Sequence, residues 1–188
     1  KSPAIIYSDA KFNQAVKRLV YGKLVNSGQT CIAPDYLMIK EEKLNDFIVE
    51  FKKNVQLFYG SNPLENDNYP KIITKNHHER LLSLFKDQKI LSGGKYNNKK
   101  IEPTLVLIKD FNTTIMKEEI FGPILPVLLY KDEEEVIEYI NKNHKPLALY
   151  AFTKDKAIKD NLINKTSSGA ITFNDTIMHF ANHNLNFG

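Results

Sequence analysis

Ile124-Leu125-Pro126-Val127-Leu128-Leu129-Tyr130, then Asp132-Glu133-Glu134-Glu135-Val136-Ile137, then Leu147-Ala148-Leu149-Tyr150-Ala151-Phe152, follow one another in a single short span. The outer two are short, continuous apolar runs, the pattern of strands buried on both faces. Between them Asp132 is placed to cap a helix, with Glu135 three residues on to close a capping box, and the acids complement the helix N-terminus. Val136, Ile137 and Ile140 mark its inner face. A further helix opens at Thr153 and ends near Gly169, and Ala170-Ile171-Thr172-Phe173 reads as a last strand. Strands alternating with helices predict an α/β fold of three layers, a largely parallel open sheet flanked by helices. Pro126 predicts an edge position or an irregular start for its strand.

Upstream the alternation continues. Ser8 or Asp9 is placed to cap a helix whose apolar positions are Phe12, Ala15, Val16, Leu19, Val20 and Leu24, and Gly28 gives it a place to end. Tyr36-Leu37-Met38-Ile39 reads as a buried strand. A second helix runs from about Lys43, with Leu44, Phe47, Ile48, Phe51, Val55 and Phe58 on one face. The turn residues Tyr59-Gly60-Ser61-Asn62-Pro63 stop it. A third spans roughly Lys75 to Asp87, a short strand follows at Lys89-Ile90-Leu91 before Gly93-Gly94, and another runs through Leu105-Val106-Leu107-Ile108.

The 188 residues fit one domain, and 42% hydrophobic content is ordinary for a globular chain. Net charge is +4, from 26 basic and 22 acidic residues scattered along the chain, with no basic block interleaved with aromatics, so the composition gives no nucleic-acid role. One cysteine forms no internal disulfide and suits a reducing compartment. With no run of about 18 apolar residues and no signal peptide, a soluble cytoplasmic protein is expected. Both ends look cut, which predicts a domain of something longer.

Four constellations bear on chemistry. The lone Cys31 closes the polar loop Asn26-Ser27-Gly28-Gln29-Thr30-Cys31, and is either a nucleophile or a small buried hydrophobe. Glu118-Glu119-Ile120-Phe121-Gly122-Pro123 sets a carboxylate that could accept two hydrogen bonds from a vicinal diol beside an aromatic that could pack on a planar ring. The alternative is a loop of solvated charges. His179 and His183 have the i, i+4 spacing of a metal pair, but no acidic third ligand follows at motif spacing, so no metal is expected. Cys31 paired with a histidine from elsewhere in the chain, as in a cysteine hydrolase, remains open. No glycine-rich dinucleotide fingerprint is present.

Taken together, these segments resemble the NAD(P)-dependent aldehyde dehydrogenases. Asn26–Cys31 followed by Ala33-Pro34-Asp35-Tyr36 is similar to the family's catalytic-cysteine motif, most of all in its class-three and fatty-aldehyde branch. Glu118–Pro123, Lys145–Tyr150, Thr166–Gly169 and His183–Gly188 are similar to further segments in the same order. The resemblance implies Cys31 as the nucleophile that forms a thiohemiacetal and then a thioester, with its backbone N–H as an oxyanion donor. It implies NAD or NADP as cofactor, with Glu119 on the nicotinamide ribose and Phe121 beside that half of the molecule. Asn174 falls on a position near the active site and Phe187 on an aromatic of the substrate tunnel, although Asn186 stands where the family usually has Pro.

It further implies an aldehyde substrate, a homodimeric whole protein and, in some relatives, a membrane anchor in a C-terminal tail. Lys1-Ser2-Pro3 resembles the end of a Glu-Leu-Gly-Gly-Lys signature, so the base and the cofactor-binding domain are expected upstream. Residues 1–188 are then the catalytic domain, inactive alone. The alternatives are an acylating, coenzyme A-dependent or acyl-phosphate-reducing relative, and an inert binding or structural protein of the same fold.

Overall fold

The computed structural model describes residues 1–109 and 112–185. Seven strands form one sheet: β1 (Pro3–Ile6), β2 (Tyr36–Ile39), β3 (Lys89–Ser92), β4 (Thr104–Ile108), β5 (Ile124–Leu129), β6 (Ala148–Phe152) and β7 (Ala170–Phe173). Their order across the sheet is β3-β4-β5-β2-β1-β6-β7, parallel throughout except for β3 against β4. The helices are α1 (Phe12–Leu24), α2 (Leu44–Tyr59), α3 (Lys75–Phe85), the short α4 (Thr114–Lys117), α5 (Glu133–Lys142) and α6 (Lys156–Lys165).

Side chains alternate across each strand, and this sorts the core into two layers. Ala4 and Ile6 of β1, with Leu37, Val127 and Phe152, pack under Val16 and Leu19 of α1 and Phe47 and Phe51 of α2. Ile5, with Met38, Val106 and Leu128, meets Leu81 and Phe85 of α3, Val136 and Ile140 of α5 and Leu162 of α6 on the other face. The sheet is thus the middle of three layers, as expected.

The strand missing from the sequence reading is β1. Pro3-Ala4-Ile5-Ile6 is too short to show a period, yet it pairs with β2 on one side and β6 on the other and is wholly buried. Pro126 needs a correction too. It lies in β5, an interior strand, because pairing with β2 begins only at Leu37 against Val127. The donor that proline lacks falls where that ladder has not yet started.

Neither Ser8 nor Asp9 caps α1; Lys11 holds the cap position without a side-chain bond. Asp9 instead accepts from the Thr153 hydroxyl at 2.9 Å and from the Asp155 backbone N–H at 2.9 Å, joining the carboxyl end of β6 to the start of α1. Burial works to raise the Asp9 pKa, and these hydrogen bonds outweigh it and lower it. Asp155 caps α6, which ends at Lys165, short of Gly169. Asp132 caps α5 as expected, but Glu135 reaches back to the Lys131 N–H, one residue beyond a standard box.

Candidate active site

The helix α1 ends at Leu24 and the chain turns sharply, with Asn26, Ser27 and Gly28 all at positive φ. The polar side chains of Ser27 and Gln29 each have a structural use. Ser27 Oγ donates to the Pro70 carbonyl at 2.6 Å. Gln29 Nε2 donates to the carbonyls of Asn26 at 2.9 Å and Lys71 at 3.0 Å, and its Oε1 accepts from the Ile73 N–H at 2.9 Å. The loop is thereby riveted to residues 70–73, and Cys31 stands exposed at its end, just before β2. The Ala33 N–H holds the Thr30 carbonyl at 3.1 Å, so in a trans peptide the Cys31 N–H faces the opposite way.

The Glu119 loop lies at the amino end of β5, the neighbour of β2 in the sheet. Contact between the two loops depends on glycine at position 28: a Cβ there would sit 2.3 Å from the Gly122 carbonyl oxygen, and φ is +73°. Asp35, 4% exposed, accepts from the Ile120 N–H at 3.1 Å and pairs with Lys1 at 2.6 Å. Lys1 Nζ also donates to the Glu118 carbonyl at 2.7 Å. From α3, His77 Nε2–H donates to the Phe121 carbonyl at 2.7 Å, and Arg80 donates to the carbonyls of Glu119 and Ile120. Phe121 itself is held at φ +56°, a strained setting for an aromatic residue.

Cys31 and Phe121 therefore open onto one apolar recess of about 390 Å³, shared with Val25, Ile177 and Phe180. Glu119 stands exposed at the loop's crest, and its carboxyl pKa is raised, first by burial of part of the group and then by the Asp35 charge. Lys23, in the last turn of α1, is 1% exposed, and its ammonium has no hydrogen-bond partner among the described residues. Burial lowers its pKa to about 8.

The other sequence candidates lie elsewhere. The Asn174 side chain donates to the Thr153 carbonyl at 2.8 Å and accepts from its N–H at 3.0 Å, so it ties β7 to β6 and does not line the recess. Phe187 and Asn186 fall outside the described residues. His179 sits against Thr172, and no group of three metal-ligating side chains exists among the described residues.

The profile of the aldehyde dehydrogenase family matches residues 1–188. The chain belongs to the aldehyde dehydrogenase family. It is 43% identical over 190 residues to aldehyde dehydrogenase family 3 member A2 of Mus musculus, covering all of this chain and 39% of that protein. It is 37% identical to the dimeric NADP-preferring aldehyde dehydrogenase of Rattus norvegicus, again over the whole chain and 42% of the relative. The substrate-bound structure of Staphylococcus aureus AldH superposes with a TM-score of 0.97 at 40% identity, covering 100% of this chain and 42% of that one. The chain thus spans about two fifths of the length of the relatives it matches.

Within this family domain, the sequence singled out Cys31, Glu119 and Phe121 as candidates but not the residues that hold their loops. Asp35 and Lys1 were visible only as parts of motifs, and His77 and Arg80 gave no local signal. Each acts on a backbone group or charge far away in sequence, which no periodicity reports.

Proposed function

We propose that the whole protein oxidises apolar aldehydes with NAD or NADP, with Cys31 as nucleophile. The observation that carries this reading is the exposed Cys31 thiol on an apolar recess whose other wall is Phe121, from the loop that bears Glu119. The Cys31 thiolate adds to the aldehyde carbonyl, and the developing oxyanion meets the Cys31 N–H, which the Thr30–Ala33 turn leaves pointing opposite to the Thr30 carbonyl. Val25, Ile177 and Phe180 receive the alkyl chain and exclude water from it.

Glu119 and Phe121 fit the cofactor. The carboxylate is exposed and suited to accept from both hydroxyls of a ribose, and the ring borders the recess that holds Cys31. When bound, the nicotinamide supplies the acceptor for the two electrons and the hydrogen lost by the thiohemiacetal. The acyl group then remains on Cys31 as a thioester. Among the described residues no carboxylate lines the recess, and this domain is expected not to turn over alone. A dimeric whole protein is proposed on the name of the rat relative.

The test is Cys31→Ala in the whole protein. Aldehyde oxidation is expected to fall to background while cofactor still binds, and retained oxidation removes Cys31 from this role. Product analysis with and without coenzyme A separates oxidation to the acid from acyl transfer.

A further inference from the structure

Two segments far apart in sequence wall the recess, the Cys31 loop and the turn at Ile177, and one buried phenol touches both segments, at Ile32 and at His179. Tyr150 of β6 is fully buried, and its hydroxyl donates to the carbonyl of Ile32, the residue after Cys31, at 2.6 Å. The Ile177 backbone N–H lies near enough to the phenol to oppose the rise in pKa that burial causes. Its ring lies 6.1 Å from that of His179, so the phenol is fixed by packing as well as by hydrogen bonding.

The Ile177 turn needs such a restraint. Ile177 holds φ +46°, a setting that a β-branched residue adopts only where its surroundings force it. The preceding Thr176 hydroxyl donates to the Arg18 carbonyl at 2.7 Å. The fit is so close that a Cβ on Gly22 would stand 2.2 Å from Thr176 Oγ1. Thr176 anchors the turn to α1, and Tyr150 anchors it to the nucleophile loop.

We propose that Tyr150 is a positioning residue whose hydroxyl holds Cys31 and the Ile177 wall at a fixed separation, so that alkyl chains are selected by their fit at the thiol. This rests on the reading of Cys31 as the nucleophile. Removing the hydroxyl leaves the Ile32 carbonyl without its phenol donor. Phenylalanine keeps the ring and its contact with His179, so the loss is confined to the tie.

The experiment uses the whole protein with Tyr150→Phe and compares labelling of Cys31 by N-octylmaleimide and N-methylmaleimide, without cofactor. The wild-type protein favours the octyl reagent, and Tyr150→Phe lowers the octyl-to-methyl rate ratio by about tenfold, the equivalent of one buried hydrogen bond. In turnover, kcat/KM falls for long-chain aldehydes more than for short ones, and cofactor Kd stays unchanged. An unchanged ratio in a folded variant overturns the proposal. If Tyr150→Phe does not fold, Thr176→Val decides in the same way, because it frees the same turn from α1 and must lower the same ratio. Cys31→Ser is measured in parallel: if it retains oxidation, the nucleophile reading has failed, whereas an inactive Cys31→Ser beside an unchanged Tyr150→Phe refutes the positioning role alone.

Discussion

Replacing Lys23 with methionine is expected to make the chain more stable at neutral pH. The ammonium is wholly buried, donates to no partner among the described residues and feels Asp35 and Glu119 only at a distance, so its desolvation is not repaid by an ion pair. Lowering its pKa from 10.5 to about 8 corresponds to about 3 kcal/mol of destabilisation when the group is charged. The sign follows from proton counting. Between pH 8 and 10.5 the unfolded chain binds the proton that the folded chain has released, so stability rises with pH across that window. Below pH 8 both states are protonated and the full penalty applies.

Methionine is unbranched and apolar, and it fills a similar space without the charge. Lys23→Met should therefore gain up to about 3 kcal/mol at pH 7 and show no slope between pH 8 and 9.5. Buried tyrosines set the upper limit of the useful range. Burial raises the pKa of Tyr7, Tyr36 and Tyr69 above the usual 10, so above pH 10 they hold protons that the unfolded chain gives up, and stability falls. Urea unfolding of wild type and variant at pH 7, 8, 9 and 9.5 reads both terms. A flat wild-type profile from pH 8 to 9.5, or a variant less stable at pH 7, refutes the reasoning.

Two further outcomes test the support of the site. Asp35→Asn should cost about 3–5 kcal/mol, since it leaves Lys1 without its buried partner and removes the charged acceptor of the Ile120 N–H; urea midpoints below a 1 kcal/mol change would contradict this. Gly28→Ala should cost at least about 1–2 kcal/mol from its positive φ alone, and should slow Cys31 alkylation further because the new Cβ pushes the Gly122 carbonyl and the Phe121 wall away. Alkylation at the wild-type rate would show that the two loops do not need that close approach.

Much of this protein was written locally. The apolar runs at 104–108, 124–129, 148–152 and 170–173 and the 3.6-residue stripes of α1, α2 and α5 needed only short-range pattern to be found. The Asn26–Cys31 and Glu118–Pro123 segments stood out as sequence motifs. What the sequence left open depends on pairing across the sheet. It did not show that Pro3–Ile6 is an interior strand, because four residues show no period and their burial comes from neighbours β2 and β6. Asn174 stands out only by resemblance, and that its amide bonds Thr153 follows from the pairing of β7 with β6.

Cys31 and Glu119 were each legible alone. Their loops meet because β2 and β5 are adjacent strands whose amino ends lie on one edge, and because glycine at 28 lets the backbones touch. Lys1 with Asp35, Lys23 in its buried place and Tyr150 between Ile32 and Ile177 belong to the tertiary structure in the same way. A local pattern fixes which face of an element is apolar, whereas the partner of a buried charge or hydroxyl is set by whichever distant segment the sheet order brings beside it.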